Sequence, residues 1–195
     1  MKISVLLVAV LFSLSYVVSS QEISPAEKMR TDEHYLYRLS QFNEVQIFPA
    51  SGSSIETYRI FVDPTFEHAL SIRIEKQGKE HLLVAKYLSG QVGSDRGTLK
   101  GEKKHRISEK EWQKLLHLID KASFWSLEPL DGVSLPNEKG EVLICLDNTE
   151  WYLEGVKDGK YHVVDRYCPD SRDFKAIGLY MVELSKLGIK KAALH

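Results

Sequence analysis

The sequence predicts an α+β protein: a mostly antiparallel sheet of two strand groups with two helices packed on one face. Two observations predict it. Alternating apolar runs joined by tight turns occupy residues 57–87 and again residues 141–167, and each group is followed by one amphipathic helical stretch, at 108–122 and 171–187. The links inside each group are too short for parallel crossovers, so the strands must return as hairpins.

Residues 1–20 stand apart from this pattern. Lys2 precedes an apolar run over residues 3–18, and Val18-Ser19-Ser20 supplies the small residues a signal peptidase inspects. The run is shorter than the roughly 20 apolar residues that span a bilayer, so the expectation is a cleaved secretory signal. No Cys follows it where a bacterial lipid anchor needs one, and no later segment is apolar enough for a membrane span. The expected location is periplasmic or secreted.

Residues 21–56 read as an N-terminal arm and loop, with Glu33-His34-Tyr35-Leu36-Tyr37-Arg38-Leu39 as a short helical candidate. Residues 57–188 form the single domain, and 189–195 a frayed tail. Removing the signal leaves about 175 residues, an ordinary size for one domain. The 195-residue chain carries 26 Lys+Arg against 27 Asp+Glu, a net charge of -1, which argues against nucleic acid as a partner.

Within the domain, residues 58–62 form a strand and residues 69–76 another, in which Leu70, Ile72 and Ile74 alternate with polar neighbours. Gln77-Gly78-Lys79-Glu80 turns the chain into a returning strand at 81–87. Between Ser89 and Arg106, Gly90, Gly93, Gly97 and Gly101 lie among polar residues. A nucleotide loop would end in Lys-Ser/Thr before a helix, which this stretch lacks, so it reads as a connection into a charged edge strand.

Ser108-Glu109-Lys110-Glu111 matches a capping box at a helix start. Behind it Trp112, Leu115, Leu116, Ile119 and Ala122 form one apolar stripe, continued past the helix by Phe124 and Trp125. A loop over 126–140 leads to a strand at 141–146. The last helix buries Phe174, Ile177, Gly178, Met181 and Leu184 and stops at Gly188. Gly178 on the packed face implies close approach of a neighbour.

The chemistry-bearing residues concentrate in the second hairpin, which gathers Trp151, Glu154, His162, Asp165 and Arg166 within about twenty positions. If Asp158-Gly159 is a two-residue type I′ turn, Gly155 pairs with His162, Leu153 with Val164 and Trp151 with Arg166. If Lys157-Asp158-Gly159 is a three-residue loop, every partner shifts by one and Glu154 faces His162. Asp-Gly favours the first. Only the second sets a carboxylate directly across from the imidazole. On the functional reading His162 transfers protons with Glu154 or Asp165 orienting it, and Arg166, Trp151 and Tyr161 serve as binding candidates. On the structural reading Arg166 stacks on Trp151, Gly155 makes room for the His162 ring, and Glu154 accepts hydrogen bonds from backbone or hydroxyl groups.

Two cysteines, Cys145 and Cys168, in an exported chain permit a disulfide. On the outer strands of a meander they stand roughly 10 Å apart, beyond the separation of about 7 Å that a bridge tolerates. Two buried thiols are the alternative. The seven histidines are scattered without the spacing of metal sites, so no metal is expected, and no cofactor motif is present. A nucleophile elbow and a Cys-x-x-Cys pair are both missing.

The series Ile107-Ser108, Glu111-Trp112, Phe124-Trp125, then Trp151-x-Leu153-Glu154-Gly155, Tyr161-His162, Arg166 and Pro169 resembles a family of small, exported, uncharacterised bacterial proteins. The resemblance spans residues 57–187 and implies compartment and domain extent, with no catalytic residue or ligand attached. This chain departs from it at Leu146-Asp147-Asn148, where the family pattern has an Asp-Gly turn. The leading functional expectation is a non-catalytic binding module whose partner is another protein or an envelope component, an inhibitor or immunity-type protein being one version. The alternative is a small envelope-acting hydrolase using His162 with Glu154 or Asp165.

Overall fold

The computed structural model describes residues 28, 30–48, 55–64, 68–90, 97–129, 149–167, 169 and 171–189. The signal at 1–20, the strand expected at 141–146, Cys145, Cys168 and Leu146-Asp147-Asn148 lie outside the described residues. Among the described residues, three helices, α1 (Glu33–Gln41), α2 (Glu109–Lys121) and α3 (Arg172–Ser185), accompany six strands. The strands are β1 (Glu56–Pro64), β2 (Leu70–Gln77), β3 (Glu80–Leu88), β4 (Leu99–Ile107), β5 (Thr149–Lys157) and β6 (Lys160–Tyr167).

All neighbouring strands pair antiparallel, in the order β4-β3-β2-β1-β5-β6. The two expected strand groups are therefore one sheet, joined where β1 runs against β5 from Thr57↔Val156 to Pro64↔Thr149. The composition of β1 explains this. Tyr58, Ile60 and Val62 are buried on one face and Phe61 on the other, so β1 cannot sit at an edge without exposing apolar surface. The edge at β4 carries Lys100, Glu102, Lys103, Lys104 and Arg106, the charges that discourage pairing with another chain.

Helices α2 and α3 pack against one face of the sheet. Ser108 caps α2: its hydroxyl accepts from the Glu111 N–H while the Glu111 carboxylate accepts from the Ser108 N–H. Trp112, Leu115 and Ile119 from α2 and Phe174, Ile177 and Met181 from α3 meet Tyr58, Ile60, Leu153 and Val164 of the sheet. Gly178 is required for this packing, because a Cβ there would lie 2.3 Å from Cζ3 of Trp151 and 2.7 Å from Cδ1 of Ile60. Phe124, in a short 3-10 turn at Phe124–Ser126, is fully buried beside them.

The reverse face carries a third helix, where two helices in all were expected. Helix α1, capped by Asp32 accepting from the Tyr35 N–H, packs Tyr35, Leu39 and the following Phe42 onto Phe61, Leu88, Tyr152 and Val163. Those sheet residues would otherwise present aromatic and aliphatic area to water, and burial is worth about 25 cal/mol per Å² of such area. No helix among the described residues is long and apolar enough to cross a membrane.

Candidate functional site

The hairpin adopts the two-residue register. Asp158 and Gly159 have φ of 50° and 72°, the left-handed pair of a type I′ turn, and Lys157 pairs with Lys160. From there the partners are Gly155↔His162, Leu153↔Val164 and Trp151↔Arg166. Because side chains alternate, His162 shares a face with Trp151, Leu153 and Arg166, under α2 and α3, while Glu154, Tyr161 and Asp165 point to the α1 face. The sheet thus separates His162 from both carboxylates proposed to tune it.

On its own face His162 packs edge-on to Phe124, with 5.0 Å between ring centres, and 6.1 Å from Trp125. Burial lowers its pKa below the usual imidazole value, with the neighbouring backbone of Leu127 and Phe124 working the other way. It lines an open cleft of about 510 Å³ together with Trp125, Tyr161, Asp120, Lys157 and Lys160. The room left by Gly155 is taken by the rings of Phe124 and Tyr58, each 2.9 Å from where a Cβ would stand, rather than by His162 itself. Trp151 is fully buried against Phe174 and α3, so it is not available to a ligand. The guanidinium of Arg166 lies 6.0 Å from the Phe174 ring and donates to the carbonyls of Glu128 and Asp165, both at 2.8 Å.

On the α1 face Glu154 is fully buried, and its carboxylate is saturated. Arg59 donates to Oε1 from Nε at 2.7 Å, with Nη2 2.5 Å from the same oxygen, while the hydroxyls of Tyr35 and Tyr161 donate to Oε2 at 3.0 and 2.9 Å. The expected hydroxyl donors are there; the arginine is the partner that the sequence conceals. Arg59, also fully buried, donates onward from Nη1 to Glu44 at 3.1 Å and to the Val45 carbonyl at 2.6 Å. Glu44 in turn meets Arg73 at 2.8 Å and Lys86 at 2.7 Å. Burial works to raise the Glu44 pKa, but Arg73, Lys86 and Arg59 together hold it below the usual carboxylate range. The hydroxyls of Tyr35 and Tyr161 are pushed well up by burial and then by the Glu154 charge, so they remain donors. Glu154, Arg59 and the hydroxyls of Tyr35 and Tyr161 are thus engaged with one another.

Beside this cluster, α1 and the open end of the hairpin enclose a cleft of about 410 Å³. Arg38 of α1 donates to Glu150 at 2.5 Å and lies 4.9 Å from the Tyr152 ring centre. Glu150 and Asp165 are diagonal neighbours across the hairpin, on the face that α1 covers. Burial, followed by the Glu150 charge, pushes the Asp165 pKa up to about 6. A buried carboxyl beside another carboxylate keeps its proton more readily than one in water. Among the described residues no group of three or more His, Cys, Asp or Glu side chains is placed to hold a metal ion.

Of the residues singled out in the sequence, Asp165 alone lines this cleft, and Tyr161 with His162 the other. Arg38, Glu150, Arg59 and Glu44 carried no local signal, because these pairs lie 15, 95 and 112 positions apart in the chain, beyond the reach of any short motif. No known family model matches this chain, and no curated protein matches it. The likeness carried by Trp151 to Pro169 accordingly rests on the sequence pattern alone.

Proposed function

We propose that this chain is an exported, non-catalytic binding module whose ligand is a component of the cell envelope or a protein met there. The separation of His162 from Glu154 and Asp165 by the sheet supports this reading most directly. Acid–base catalysis needs its proton-transfer partners within hydrogen-bond reach, and Glu154 is committed to Arg59, Tyr35 and Tyr161. Export is supported by the charged start, apolar run and small residues of 1–20.

Immobilised protein incubated with envelope extract tests the class. A component retained reproducibly, and released by competing soluble protein, is the expected result. Recovery of background alone counts against a binding module. If extract components are cleaved instead, and His162→Ala abolishes cleavage at matched protein abundance, the hydrolase reading replaces it.

A further inference from the structure

We infer that the cleft between α1 and the β5–β6 hairpin is a sugar site, built to take a neutral pyranose either within a polymer or free. This rests on the binding-module reading and names the chemistry of its ligand.

The cleft volume of about 410 Å³ falls inside the range of about 300–1,000 Å³ typical of small-molecule sites. Its charges are mixed and nearly balanced. Lys28 and Arg38 bring two cations; Asp32, Glu150 and Asp165 bring three carboxyls, of which Asp165 holds its proton unusually well. The lining therefore favours neither an anion nor a cation as a whole. A sugar hydroxyl both donates and accepts, so it is served by a carboxylate on one side and a guanidinium on the other.

A pyranose also has an apolar C–H face, and the cleft offers a ring for it. Tyr37 is 59% exposed on α1, and its hydroxyl is fixed by the Gln41 amide donating at 2.9 Å. An exposed aromatic of this kind binds with little loss of conformational freedom. The polar floor is also fixed in advance. Arg38 is pinned by Glu150 and sandwiched near the rings of Tyr152 and Phe61, at 4.9 and 5.7 Å, which lowers the ordering cost of binding.

The test is an amide-shift titration of the isotope-labelled protein with tri-N-acetylchitotriose, maltotriose and glucose in separate runs, alongside co-sedimentation with insoluble peptidoglycan. Saturable shifts on α1, β5 and β6 are expected, weakened at least about tenfold by Tyr37→Ala and by Glu150→Gln. Tyr37→Ala should leave the melting temperature unchanged, so its effect reads binding rather than folding. Co-sedimentation that Tyr37→Ala removes supports the site and makes the polymer the source. A response to soluble sugars alone supports the site and makes free sugar the source. No shift with any sugar and no co-sedimentation overturns the inference, as do shifts centred on Trp125 and His162 or binding that both variants leave intact. If sugars fail while an envelope component is still captured, the sugar site falls and the binding module stands; if capture fails as well, both fall.

Discussion

Glu154 shows how far a polar side chain can be taken from water when all of its lone pairs are used. It accepts from Arg59, Tyr35 and Tyr161 in a fully buried setting. A pair of this kind need not add net stability, since desolvation offsets much of the attraction, but breaking it leaves a buried charge without a counter-charge. Glu154→Gln keeps the shape and removes the charge, so Arg59 is left facing Glu44 as its remaining carboxylate. The expected loss is about 3–5 kcal/mol, read from the midpoint and slope of urea unfolding. Replacing Arg59 by Met in the same chain should recover a large part of it. A single-variant loss below about 1 kcal/mol would mean that water reaches the cluster after all.

Gly178 lets two opposing effects be compared within α3. Exchanging glycine for alanine inside a helix normally gains about 1 kcal/mol. Here the added Cβ would overlap the buried rim of Trp151 at 2.3 Å and Ile60 at 2.7 Å, neither of which has free space to move into. Overpacking of that order costs about 1–3 kcal/mol, and because contacts under 3 Å oblige the buried Trp151 ring, Ile60 or the helix itself to shift, the steric term wins. Gly178→Ala should lower the melting temperature, whereas Ser108→Ala, which deletes the cap of α2, should cost about 0.5–2 kcal/mol without touching the core. A stabilised Gly178→Ala would show that α3 slides freely over the sheet. Both sites were legible before any coordinates, because a capping box and a helical stripe are local patterns. The hairpin register was legible only in part: Asp158-Gly159 favours the two-residue turn that forms, but the three-residue loop shifted by one was equally compatible with the flanking pattern. The position of α1 was not legible. Its stripe of Tyr35, Leu39 and Phe42 is short, and the surface it covers is assembled from β1, β3, β5 and β6, which only the finished sheet brings together. The cleft was hidden for the same reason, since Arg38 reaches Glu150 across 112 positions of sequence.

Three groups give the molecule as a whole a pH response of mixed sign. Glu44 is depressed, because Arg73, Lys86 and Arg59 outweigh the opposing effect of burial, so its contribution is present above the usual carboxylate range and lost on acidification. His162 is depressed by burial, so the folded chain favours its neutral ring and loses stability as pH falls below about 6.5. Asp165 acts in the opposite direction. Its pKa is raised from 3.8 to about 6, so the folded state binds a proton more tightly than the unfolded chain. The stability this provides is complete below the unfolded value and is lost as pH rises through about 6. The difference of about 2 units, at about 1.4 kcal/mol each, bounds the effect at about 3 kcal/mol. Asp165→Asn imitates the protonated carboxyl at every pH. It should therefore match the parent at pH near 4 and exceed it in stability at pH near 8, by up to that bound, when urea unfolding is compared at the two values. Arg38 and Arg166 draw the Asp165 pKa down, and the value of about 6 is what remains after that relief. An equal difference at both pH values would show that folding does not raise the Asp165 pKa, and that the variant acts through packing alone.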